Sequence, residues 1–167
     1  MLKILTALVI AGVFLLSSCL NLSGVYKKEG DAAMERLIAA LTNQDKTEVK
    51  SMFSEKALSE AEDFDNHLDY LFDFFEGAVL SWKQMGSSIF EEKEGKHNVK
   101  NAYVWYKVTT DQEEYLFIFI ECLVDAEEPQ NVGLYMLRVI RAEDKEREFS
   151  SWEGIEIPGI YKPEIIK

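Results

Sequence analysis

The chain has 167 residues, with 30 acidic against 18 basic side chains and a formal net charge of −12. That balance argues against nucleic acid as a partner, because phosphate recognition depends on clustered Lys and Arg, and against flat electrostatic adhesion to an anionic leaflet. Its length fits one domain of ordinary size, large enough for a substantial core without staples.

The first segment is MLKILTALVIAGVFLLSSC. Lys3 supplies a positive start, Ile4 to Leu16 an apolar stretch of signal-peptide length, and Leu16-Ser17-Ser18-Cys19 follows. The apolar run is shorter than the roughly 20 residues that cross a bilayer. Its ending resembles the lipobox of bacterial lipoproteins. The resemblance implies cleavage before Cys19, diacylglycerol on its sulfur, and a lipid-anchored domain on the extracytoplasmic face of the cell membrane, with palmitate-type acyl chains. Two chains, at about 0.8 kcal/mol per buried methylene, hold a protein where one would be marginal. Loss of residues 1–18 removes Lys3 and no acid, so the processed chain becomes more acidic still. A thioether at Cys19 leaves Cys122 without a disulfide partner; it lies in the apolar run Tyr115 to Val124 and reads as a small packed hydrophobe.

Residues 19–29 have weak periodicity and a Ser-Gly step, and read as a lipidated tether to a single domain over 30–167. From Asp31 the pattern turns helical, with Met34, Leu37, Ile38 and Leu41 on one face. Asn43-Gln44-Asp45 interrupts it. Asp45 with Glu48 three positions on is close to a capping box for a short helix that buries Val49, Met52 and Phe53, and Ser54 can cap another turn carrying Leu58.

A third helix is expected from Asp63 to Gly77. At about 100° per residue with Phe64 as zero, Phe64, Leu68, Leu71, Phe72 and Phe75 fall between about −20° and 80°, and Asp65, Asp69, Asp73 and Glu76 between about 100° and 180°. The first set reads as core and the second as a solvated flank. His67, Tyr70 and Phe74 lie at about 240° to 300°, an aromatic shoulder with a titratable ring that could line a pocket.

Downstream, Ala78–Glu92, Val99–Thr110, Glu114–Asp125 and Asn131–Arg141 read as four strands joined by Glu94-Gly95-Lys96, Asp111-Gln112 and the loop Asp125 to Gln130. Short turns between neighbours imply antiparallel order. In the second strand Tyr103, Trp105 and Lys107 point one way while Ala102, Val104, Tyr106 and Val108 point the other, so both faces carry large side chains. Periodicity alone leaves open which face is inner. Phe149 to Ile160 reads as an edge strand or return segment that Pro158-Gly159 terminates.

Helices followed by an antiparallel meander give an α+β domain in which N-terminal helices pack on a curved antiparallel sheet of four or more strands. The phrases LTNQD (Leu41 to Asp45) and VKSMF (Val49 to Phe53), followed by four long strands, make the chain resemble the nuclear transport factor 2-like superfamily. FSEKALS from Phe53, LFDFFEG from Leu71 and Pro158-Gly159-Ile160-Tyr161 resemble uncharacterised Gram-positive lipoproteins of about this length. The resemblance implies a cone whose mouth holds a small ligand in some members and only packs side chains in others, and carries no established activity.

The expected function is binding or interaction. A pocket bounded by His67, Tyr70, Phe74, Tyr103 and Trp105 would offer stacking faces with polar handles to a small apolar ligand, and the acidic body could dock an envelope protein. A homodimer through the outer sheet face would bury Tyr106, Phe117 or Phe119, and Tyr135. The alternative is a small-molecule enzyme with acid/base residues in the cone, for which no position matches a catalytic motif. No cofactor or metal is expected: Asp63, Asp65 and His67 imitate the start of a calcium loop, but Leu68 stands where the turn needs glycine, and His67 and His97 have no zinc-site spacing.

Overall fold

The computed structural model describes residues 22–149 and 157–162. The first helix, α1, runs over Leu22–Thr42, so the helix starts well before Asp31 and residues 22–29 are helical where a tether was expected. Weak apolar periodicity hid this first part of the helix. The signal segment, Cys19 and the first tether residues lie outside the described residues.

In α1, Met34, Leu37 and Leu41 are buried as the periodicity demands. Gln44 ends the helix in the left-handed region with φ of 56°, and the amide of Asp45 closes on the Ala40 carbonyl at 2.8 Å. Helix α2 (Lys46–Ser51) begins at Asp45, whose side chain accepts from the Glu48 amide at 2.9 Å. Helix α3 (Glu55–Glu60) begins at Ser54, which accepts from the Ala57 amide at 3.1 Å. Both caps satisfy amides that the first helical turn leaves without partners.

Helix α4 (Phe64–Phe74) is shorter at both ends than expected but keeps the expected faces. Phe64, Leu68, Leu71, Phe72 and Phe75 are buried, and Asp65, Asp69, Asp73 and Glu76 are exposed. Part of the acidic flank is tied to α2, through Lys50 to Asp65 at 2.6 Å and Lys46 to Asp69 at 2.7 Å. Such exposed pairs contribute on the order of 0.2–1 kcal/mol each.

The strands follow: β1 (Val79–Glu94), β2 (His97–Thr110), β3 (Glu114–Asp125) and β4 (Gly133–Arg141), then the short α5 (Lys145–Phe149) and a two-residue β5 (Gly159–Ile160). They form one open, curved sheet in the order β1-β2-β3-β4-β5. The first four are antiparallel, and β5 lies parallel to β4. Gly159 therefore opens the last strand and does not terminate one. Its φ is 88°, and an added Cβ would stand 2.7 Å from that of Ala61. Residues 150–156 of the expected edge segment lie outside the described residues.

Register decides the faces. Val104 pairs with Phe119, Tyr106 with Phe117 and Val108 with Tyr115, and these residues join Met34, Leu37, Val49, Leu71 and Phe75 in one apolar cluster. Tyr106, Tyr115, Phe117 and Phe119 are each 0–1% exposed. Helix side chains and one sheet face thus fill the space between them, with Phe75 edge-on to Phe117 at 5.5 Å and Tyr106 stacked on Phe119 at 5.8 Å. At Gly133, φ is 127° and an added Cβ would lie 2.9 Å from the Ser54 amide nitrogen and 3.0 Å from the Met52 carbonyl. That close approach lets Leu134 bond Met52 and Ser54 at 2.8 and 3.0 Å, fixing the α2–α3 junction on β4.

Candidate functional site

The shoulder of α4 is covered, not open. His67 Nδ1 donates to the Ile160 carbonyl at 2.8 Å, so the ring holds β5 in place. Tyr70 stacks on Phe74 at 5.3 Å, with the Lys162 ammonium 5.7 Å from the Tyr70 ring and the Arg141 guanidinium 5.7 Å from that of Phe74. Burial first, then the charge of Glu148, push the Tyr70 hydroxyl above the ordinary phenol range. Nearby, Arg138 donates to the Glu148 carbonyl and carboxylate at 2.9 and 3.1 Å and lies 4.0 Å from the Tyr161 ring, whose hydroxyl donates to Glu148 at 3.1 Å. The C-terminal segment occupies the position in which a ligand was anticipated.

Tyr103 and Trp105 are not brought to this shoulder. Tyr103 pairs with Ile120 and Trp105 with Ile118, on the face turned away from the helix-packed cluster. The expected five-residue pocket is therefore not assembled. The reason is the alternation of β2: Ala102, Val104, Tyr106 and Val108 are the inner set, and Lys107 shares the outer set with the two rings. The dimer reading needs the same correction, since Tyr106, Phe117 and Phe119 lie under the helices. Tyr135 is half-buried and donates to Glu60 at 3.3 Å.

Inside the domain, polar handles are committed to structure. The Tyr106 hydroxyl donates to Asp31 at 2.9 Å. Tyr115 donates to the Phe74 carbonyl at 3.2 Å and accepts from the Glu76 amide at 2.9 Å, closing the end of α4. Burial drives both hydroxyls upward, and the Asp31 contact adds to the shift at Tyr106. Both therefore stay protonated near neutral pH. Cys122 is 7% exposed, and burial raises its thiol, as a packing role requires.

Two surface clefts are found among the described residues. One, of about 350 Å³, lies between α1 and the ends of β2 and β3, with Ala32, Arg36, Lys100, Glu121 and Leu134 among its walls. Arg36 there is already engaged by Glu48 at 2.6 Å. The other, of about 380 Å³, is on the outer sheet face beside Lys56, Tyr103, Cys122, Asp125 and Asn131. Neither is lined by His67 or Tyr70. Among the described residues no cluster of His, Cys, Asp and Glu could hold a metal ion, and no helix is long and apolar enough to cross a membrane.

The loop at the rim of the second cleft is held by charge. Asp125 accepts from Asn131 Nδ2 at 2.7 Å and from the Glu128 and Glu127 amides at 2.9 and 3.1 Å, which hold its carboxyl below the ordinary range, the Asn131 bond foremost. His97 Nδ1 lies 3.0 Å from Glu127, and that hydrogen bond raises the imidazole above its ordinary value. A raised imidazole favours the folded loop below the unfolded-state value, and that contribution disappears as pH rises through the folded value. The depressed Asp125 contributes above the unfolded carboxylate value and ceases to as pH falls through its folded value. An NMR titration is expected to find His97 above a free imidazole and Glu127→Gln to return it; unchanged titration in that variant would remove Glu127 as the cause.

The outer surface of β1 and β2 carries what the sequence reading missed. Leu80, Met85, Phe90 and Trp105 are 67, 58, 61 and 43% exposed. Phe90 lies edge-on to Tyr103 at 5.3 Å, and a Cβ at Gly86 would come within 3.5 Å of the Trp105 indole nitrogen. Irregularities in the β1–β2 register fall between Val79 and Ser81 and between Gln84 and Gly86. Gly86 inside a strand was the available signal, because a strand glycine marks a bulge or a close approach.

Residues 36–142 match the family described as "Domain of unknown function (DUF5104)". The chain belongs to this family. No curated protein matches it. The DUF5104 match runs from within α1 to the end of β4, so it contains both clefts' sheet walls and the exposed β1–β2 surface. The strand that meets the α4 shoulder of this DUF5104 protein, β5, lies beyond the matched residues.

Proposed function

We propose that this DUF5104 protein is a lipid-anchored, extracytoplasmic interaction domain of nuclear transport factor 2-like architecture, which works through its outer surface and not by turnover inside a cone. One observation carries the second half of the reading: the space between helices and sheet is filled by Tyr106, Tyr115, Phe117 and Phe119, while apolar side chains stand in solvent on β1 and β2. A ligand site needs concavity with convergent polar groups, whereas an exposed apolar surface marks a contact with another macromolecule. The lipobox-like LSSC sequence at Cys19 supports the anchor, and the order of helices before a four-stranded meander supports the architecture. The acidic composition favours a protein partner over nucleic acid.

Each half has its own test. Cys19→Ala in the full-length chain is expected to release the protein from membranes or leave it unprocessed; unchanged fractionation and mass would defeat the anchor. A photo-crosslinking amino acid at position 105 is expected to give discrete protein adducts in intact membranes, and one at position 128 none. If position 105 gives no adduct and native mass spectrometry finds a metabolite bound, the surface reading gives way to a small-molecule one.

A further inference from the structure

The space between helices and sheet is filled, but the cleft on the outer sheet face is not. Its volume of about 380 Å³ falls within the range of small-ligand sites, about 300–1,000 Å³. Val99, Ile120 and Cys122 supply its apolar lining. Tyr103 and Tyr135 line it as well, and both pack against the small outer cluster of Ile118, Ile120 and Met136. Phe90 braces the Tyr103 ring edge-on at 5.3 Å, and the Tyr135 hydroxyl donates to Glu60 at 3.3 Å, so both rings are held in place before any ligand arrives.

Polar groups reach the same cleft from three parts of the chain. Asn101 comes from β2, where it pairs with Phe90 on one side and Cys122 on the other. Asp125 and Asn131 come from the end of β3 and the loop after it, and Lys56 from α3. Asn131 Nδ2 is used twice, by Asp125 at 2.7 Å and by Glu128 at 3.0 Å, whereas its Oδ1 is buried with no hydrogen-bond partner among the described residues. A buried acceptor left unpaired is costly, and a donor brought by a ligand relieves that cost.

We infer that this cleft binds a neutral mono- or disaccharide, with a C–H face of the sugar against Tyr103 and its hydroxyls among Asn101, Asp125, Asn131 and Lys56. This goes beyond the protein-contact reading and does not rest on it. The lining selects the class. Lys56 and Asp125 put one charge of each sign in the cleft, so a ligand with a net charge of either sign meets a like charge there. Asp125 already accepts three hydrogen bonds within its loop, which leaves it an oriented acceptor more than a bare counter-ion. Asparagine amides need partners that both donate and accept, and a hydroxyl group does both. The tyrosine rings need apolar surface, which a pyranose offers on its C–H face while its hydroxyls point outward around the rim. A wholly apolar ligand would strip water from these amides and charges and give nothing in return.

The test titrates the full-length chain in detergent with maltose, N,N′-diacetylchitobiose, glycine and inorganic phosphate, and follows the side-chain amide resonances of Asn101, Asn131 and Asn66. At least one disaccharide is expected to move Asn101 and Asn131 with millimolar affinity and to leave Asn66, which bonds Asp63 at the start of α4, unmoved. Asn101→Ala and Tyr103→Leu are each expected to weaken that binding roughly tenfold without lowering the thermal transition appreciably. Should Tyr103→Leu fail to fold, Asn101→Ala alone decides. Movement of the two amides by glycine or phosphate, and by neither disaccharide, assigns the cleft to a charged ligand and overturns the saccharide. No movement with any of the four at tens of millimolar overturns the site. Neither failure alters the cross-linking result at position 105, so the protein-contact reading stands or falls separately.

Discussion

Replacing Phe117 with Ala is expected to cost about 3–5 kcal/mol of folding stability, a large part of what a domain of this size possesses. The ring is fully buried, edge-on to Phe75, and sits on the middle strand between Tyr106 and Val139. Its neighbours come from α4 on one side and from β2 and β4 on the other, so no single element can move to close the hole. Trp105→Ala, although it removes a larger side chain, is expected to change stability by about 0.5 kcal/mol or less, because the indole is on the exposed face. Paired urea denaturations check both numbers. The reverse ranking would mean that the inner and outer faces of β2 are assigned wrongly.

Arg138→Ala is expected to destabilise by about 3 kcal/mol through a different cause. Arg138 and Glu148 expose only 10% and 11% of their side chains, so removing the cation leaves a carboxylate in a site with little water. The Tyr161 hydroxyl at 3.1 Å and Arg147 at 3.3 Å offer partial compensation, which places the cost at the lower end for a broken buried pair. Arg138→Met combined with Glu148→Leu is expected to recover most of the loss, since an apolar pair of similar volume needs no ionic partner. A double-mutant cycle by thermal unfolding measures this. Additive losses would show that the two side chains act independently. Arg138→Lys is expected to fall between, keeping charge but losing the planar stack on Tyr161.

Much of the fold was legible because its signals are local. Asp45 and Ser54 cap the helices they announce, the wheel of α4 separates core from flank correctly, and β3 has its expected bounds, Glu114–Asp125. The site was less legible because it depends on which sheet face meets the helices. Alternation in β2 yields two sets of side chains, each with aromatic rings, and the choice between them is made by tertiary packing. Lys107 was the usable clue, since a lysine in the same set as Tyr103 and Trp105 favours solvent for that face. The closure of the α4 shoulder had no local signature at all: His67 meets a carbonyl 93 positions away, in a strand of two residues.

That last contact sets an order of events during folding. The β1–β4 meander joins neighbours in sequence and meets the low entropic cost of short loops, whereas β5, parallel to its neighbour β4, brings Ile160 to His67 on α4 across 93 positions. Until these residues arrive, His67 lacks the Ile160 carbonyl and the Tyr70 ring lacks its Lys162 neighbour. Pulsed hydrogen exchange during refolding should therefore find the Tyr161 amide, bonded to the Leu137 carbonyl at 2.8 Å, among the last to gain protection; early protection there would reverse the sequence of steps.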